Sequence, residues 1–215
     1  MKCRSTAGST RRNSATIKRR NAPKAKRNRG VSVAGQETVI ARLTHERDDA
    51  LLMSLLRDYH AAIGEIIIKY SGTLERFAGD GVMVIFNDPV PVENPPLQAV
   101  LMALDMRIAL GGMIEKWRDL GHDLGFGIGI AHGFATLGTI GFEGRFDYAA
   151  IGTVSNVASR LCDEAKSGQI LITPRVRQAV EKAVTVEPVG EFALKGIRRP
   201  MMTYNVLEPL PSKPN

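Results

Sequence analysis

Cysteine is scarce. The 215 residues hold two, Cys3 and Cys162, too few and too far apart for a disulfide framework, which points to a reducing compartment. Long apolar runs are scarce as well: no stretch reaches the roughly 18 uncharged apolar residues of a membrane span. The nearest, 99–114, is interrupted by Asp105 and Arg107. No apolar segment follows the N-terminus, so no secretory leader is expected and the expected location is the cytoplasm. Acidic residues are missing from positions 1–30, which carry eleven Lys or Arg. The net charge of +7 belongs to that segment, because 31–215 hold 18 basic against 22 acidic residues, a net of −4. Such a composition reads as a basic, disordered tail over 1–35. It can contact nucleic acid or an anionic membrane through residues 1–30, or serve as a transit segment. It lacks the aromatic side chains that stack on bases.

The remainder has the apolar content of one globular domain. Leu51, Leu52, Leu55, Leu56, Tyr59, Ile63, Ile66 and Ile67 recur at helical spacing over 46–70. Leu74–Phe77 and Val82–Phe86 form the arms of a hairpin, with Gly79 and Gly81 supplying the positive φ of a tight turn and Asp80 at its tip. A second long helix is expected over about 96–119. Leu124–Ala131 alternates glycine with Phe126, Ile128 and Ile130, a strand whose bare face something must approach closely. A second hairpin (135–140 with 145–151), a helix over 153–165 and the strand Ile170–Ile172 follow. Thr173-Pro174 then caps a helix over 175–183, ahead of strands at 185–194 and 201–207 and a loose tail, 208–215. The pattern is an α+β sandwich.

Within Tyr148–Leu161, Asn156 and Arg160 stand four apart and share one helix face. Gly152 permits the turn into that helix and Thr153 can cap it. An amide and a guanidinium side by side suit an anionic transition state. Taken singly, Asp80 also reads as a turn former, and Asn156 and Arg160 as a solvated pair.

Four segments recur in one order and spacing: the Gly-Asp hairpin, the strand 127–133 (GIGIAHG), the helix 151–161 (IGTVSNVASRL) and Leu194-Lys195-Gly196. Together they resemble the class III (universal) nucleotidyl cyclase catalytic domain of the bacterial adenylate cyclase type, over about 46–206. The resemblance implies a ferredoxin-like sandwich, mainly antiparallel with helices on one face, occupying 36–207. It implies formation of cyclic AMP and pyrophosphate from ATP, with GTP not excluded, using two Mg2+ or Mn2+ ions per site. By resemblance Asp80 is the second metal carboxylate and Asn156 orients the ribose. Arg160 stabilises charge at the α-phosphate, Lys195 pairs with the terminal phosphates, and Arg76 takes the place of the base-selecting lysine. The metal carboxylates and the Asn/Arg pair come from different protomers, which implies a homodimer, or a heterodimer with another cyclase domain.

Three positions depart from that pattern. The first metal Asp, expected on a strand before the first long helix, has no counterpart. Glu37, at the end of Val31–Glu37, is the sole carboxylate that could replace it, and the loss is expected to remove a central strand and half the metal site. A replaced N-terminus is one account of the gap. Arg76 stands where the family has lysine, and Ala149 stands at its Asp or Thr partner position. The competing expectations are an impaired cyclase homologue that complements an intact domain, and a nucleic-acid-binding protein acting through its tail.

Overall fold

The period-2 and period-3.6 segments settle into one sheet with helices against it. The structure, a computed structural model, describes residues 26–35, 49–78, 81–119, 121, 124–193 and 200–211. In chain order the elements are β1 (Lys26–Gly35), α1 (Asp49–Lys69), β2 (Thr73–Ala78), β3 (Gly81–Phe86), α2 (Pro95–Asp119) and β4 (Ile128–Phe142). There follow β5 (Arg145–Ile151), α3 (Thr153–Glu164), β6 (Ile170–Ile172), α4 (Pro174–Val180), β7 (Val184–Phe192) and β8 (Met201–Pro209).

The eight-stranded sheet runs β2-β3-β1-β4-β6-β8-β7, with β5 paired to the far half of β4. All its ladders are antiparallel except β4 with β6. This is the expected α+β class. The place between β3 and β4 is filled by β1, which pairs Val31 with Phe86 on one side and Lys26–Gly35 with Leu137–Ile128 on the other. The sequence reading assigned these ten residues to a disordered tail and a central strand to the missing motif. The strand is present, because a central ladder is made by backbone groups and Val31, Val33 and Ala34 suffice to mark it.

Apolar residues line both sides of the sheet. Val84, Phe86, Ile128, Ile130, Ile170 and Ile172 join α1, α2 and α4 in one core. Ile85, Ala131, Ala135 and Leu137 pack against Val154, Ala158 and Cys162 of α3 on the other face. The helices therefore do not share one face, as the sequence suggested. The alternation along β3 and β4 gives each face its own apolar set. Helix α2 is long and apolar enough to cross a membrane by length and composition. In this fold its Ala99, Val100, Met102 and Ala103 are wholly buried in the core.

The bare face of the glycine-rich strand carries α3. A Cβ on Gly129 would lie 2.2 Å from the carbonyl oxygen of Ala158 and 2.5 Å from the amide of Cys162. Only glycine admits the helix so close. Strand β4 runs unbroken from Ile128 to Phe142, so no loop separates the strand expected over 124–131 from the first hairpin arm, and Glu143-Gly144 turn the chain into β5. The second core strand and its hairpin are one element, paired in turn with β1, β6 and β5. At the C-terminus β8 extends through Glu208 and Pro209, two residues into the expected loose tail.

Candidate active site

The Gly-Asp hairpin forms as expected up to its tip. Ala78 pairs with Gly81, and the two residues between them, Gly79 and Asp80, lie outside the described residues. Gly81 opens β3 as the partner of Ala78. Lys195 and Glu37 also lie outside the described residues.

Helix α3 is set by its own sequence. Gly152 is its N-cap and Thr153 its first residue. The N-cap position thus falls one residue earlier than expected, at a glycine where an added Cβ would meet the carbonyl oxygen of Phe134 at 2.9 Å. Ser155 Oγ donates to the carbonyl of Ala150 at 3.1 Å, tying the first turn back to β5. Val154, Ala158, Leu161 and Cys162 are buried on one side. Asn156 and Arg160 are exposed on the other, one turn apart. The Arg160 side chain is 45% exposed and its Nη1 donates to Asp163 Oδ2 at 3.2 Å, a surface pair weak enough to be exchanged for an anionic ligand.

Strands β2 and β5 approach each other beside this helix. Arg76 is exposed on β2, and Ala149 is buried on β5. The sequence reading missed a third group between them. A bulge separates Leu74, paired with Val84, from Arg76, paired with Met83. Glu75 is the unpaired residue of the bulge. Its side chain is only 3% exposed, and its Oε1 accepts the Ala150 N–H at 3.3 Å with Arg76 Nη2 at 3.9 Å. Burial pushes the Glu75 carboxyl above its ordinary range, against the lowering effects of Arg76 and of the Ala150 amide. The remaining oxygen, Oε2, is buried without a hydrogen-bond partner. No signal in the sequence marks this residue, since a bulge breaks the alternation from which strand faces are read.

A separate hollow of about 420 Å³ opens beside His132, Phe134, Val154, Val157, Arg175 and Met201; neither Asn156 nor Arg160 lines it. As for a divalent cation, no group of three His, Cys, Asp or Glu side chains gathers among the described residues. Strand β1 contributes no carboxylate at all. The described residues thus place an amide and a guanidinium one turn apart on the exposed side of α3. Asp80, outside the described residues, is a hard oxygen donor of the kind suited to Mg2+ or Mn2+.

Comparison with known proteins agrees with this geometry. The family model described as the adenylate and guanylate cyclase catalytic domain matches residues 32–208. An adenylate cyclase 1 of Rhizobium meliloti is 26% identical over 168 residues, 77% of this chain and 25% of that protein. An uncharacterized protein of Mycobacterium tuberculosis is 30% identical over 144 residues, 66% of this chain and 25% of its own length. The chain thus spans about a quarter of the curated relatives it matches. Among solved structures, the adenylyl cyclase CyaB from P. aeruginosa superposes with a TM-score of 0.79 at 30% identity, covering 86% of this chain and 96% of that one. The guanylyl cyclase Cya2 superposes with a TM-score of 0.81 at 25% identity, covering 87% and 96%.

Proposed function

The chain belongs to the adenylate and guanylate cyclase catalytic domain family, and on that premise we propose that it forms cyclic AMP and pyrophosphate from ATP. The observation that carries this reading is the exposed pair Asn156 and Arg160, one turn apart on a helix whose other side is locked to the sheet. In the reaction the ribose 3′-hydroxyl gives its proton to solvent and its oxygen bonds to the α-phosphorus, while the bond from that phosphorus to the bridging oxygen breaks and pyrophosphate leaves. Asn156 fixes the ribose so that this oxygen stands in line. Arg160 donates to the α-phosphate oxygens as charge spreads over them. Lys195 holds the terminal phosphates, and Arg76 donates to the purine. Asp80 would hold Mg2+ or Mn2+, which when bound supplies charge neutralisation and acidifies the attacking hydroxyl.

The site is built between two chains in this reading, as a homodimer or with another cyclase domain. The β4–β5 arm supports it: at its end Phe142 and Phe146 are 70% and 62% exposed, large apolar side chains that a partner subunit would cover.

A second reading is favoured by one observation. Strand β1 holds the central place next to the Asp80 hairpin, yet Lys26–Gly35 contains no Asp or Glu. A chain short of a metal carboxylate acts as the half that supplies Asn156 and Arg160 to a partner with an intact metal site. The test incubates the purified chain with Mn-ATP, alone and mixed with a cyclase domain whose own Asn/Arg pair is broken. Cyclic AMP from the chain alone supports the first reading, and cyclic AMP from the mixture only supports the second. None from either overturns both.

A further inference from the structure

The buried, half-used carboxylate of Glu75 calls for a donor. A carboxylate oxygen shut from water without a hydrogen bond is unfavourable, and a ligand bringing an N–H to it recovers that cost. Oε2 is in this state, while Oε1 is engaged by the Ala150 amide at 3.3 Å. The bulge at Glu75 places the carboxylate against β5 instead of in the regular pleat. It therefore lies one residue from Ala149, whose methyl group can neither donate nor accept. Arg76, next in the chain and 64% exposed at its side chain, adds a donor at the same spot.

The pairing edges of the two common purines differ in a way this arrangement can read. Adenine presents the N6 amino donor and the N1 acceptor. Guanine presents an O6 acceptor and two adjacent donors, N1–H and N2–H. A carboxylate with both oxygens open would take the two guanine donors together. With Oε1 committed to Ala150, Glu75 offers one open oxygen, enough for adenine and one short for guanine.

We infer that Glu75 is the residue that reads the base: Oε2 accepts from the adenine N6 amino group while Arg76 donates to N1, so that the site prefers ATP to GTP. This rests on the reading that a purine nucleotide lies beside Arg76 and Ala149. It moves specificity from position 149, where no polar side chain remains, to a neighbouring strand.

The test is calorimetric titration of the full chain with Mn-ATP, Mn-GTP and Mn-ITP, for wild type and Glu75→Gln. Glutamine keeps an acceptor for Ala150 and puts a donor where Oε2 stood. The wild type should bind ATP tighter than GTP by on the order of tenfold, the cost of one unpaired buried donor. Glu75→Gln should bring the ratio to parity or below while melting no lower than the wild type. An unchanged ratio in a folded Glu75→Gln protein overturns the assignment. Should that variant not fold, the wild type decides. ITP lacks the N2 amine and should bind tighter than GTP by a similar factor, and equal binding of the two overturns the assignment. If all three bind equally, Glu75 is not the reader although the nucleotide site stands. If none binds, the cyclase reading falls, and this one with it.

Discussion

Removing Arg160 should separate chemistry from binding. In the proposed function its guanidinium acts on charge that grows during the reaction, so Arg160→Ala should lower kcat by on the order of a hundredfold and change KM little. Steady-state kinetics with Mn-ATP checks this, and a matched rise in KM without loss of kcat would place Arg160 in ground-state binding instead. Glu75 carries a stability prediction of definite sign. Its carboxyl is raised in the folded chain, so the folded state holds more protons than the unfolded one between the two values. Stability from this group is present at low pH and declines as pH climbs from the ordinary glutamate value to the raised one. Glu75→Gln has no such loss. Its urea midpoint should gain on the wild type as pH rises above the ordinary glutamate value, and a difference that does not change with pH contradicts the prediction. The contrast between the two residues shows what sequence can carry. Asn156 and Arg160 were legible because a regular helix fixes the side-chain direction from spacing alone. Glu75 was not, because one extra residue in a strand redirects a side chain without any mark in composition.

At the level of elements, the crossing of α3 over β4 depends on an absent side chain. Gly129→Ala would drive a methyl group into the backbone at Ala158 and Cys162. Backbone cannot step aside as a side chain can, so the loss should reach about 3 kcal/mol or more. Gly64 offers the control: it lies in α1 and an added Cβ meets nothing within 4 Å. Gly64→Ala should raise stability by about 0.5–1 kcal/mol through helix propensity. Chemical denaturation of both variants measures the pair, and equal effects would show that α3 does not need the close approach. The glycine period of β4 announced this packing in advance. Strand β1 was hidden for the opposite reason. Its first half, Lys26–Arg29, is charged and reads as tail, while the ladder it joins uses backbone groups common to every residue. The placement of α3 on its own face was hidden too, since periodicity says which side of a helix is apolar and not which side of the sheet receives it.

For the molecule as a whole, the proposed function makes the site one half of a structure shared between two chains. The described residues of one chain carry the amide and the guanidinium on α3 and the Glu75 carboxylate on β2, while in that proposal the metal candidate Asp80 serves a site completed by a partner. Replacing the exposed Phe142 and Phe146 together by Asp should abolish self-association, read by analytical ultracentrifugation, and with it any activity of the chain alone. A variant that stays dimeric would move the interface elsewhere on the surface.

The most direct measurement is cyclic AMP formed from Mn-ATP by the purified full chain and by Arg160→Ala, each alone and mixed with a cyclase domain lacking its own Asn/Arg pair. The account predicts product from the wild type, alone or through the partner, and about a hundredfold less from Arg160→Ala in the same setting. Product at equal rates from both proteins, or none in any combination, would contradict it.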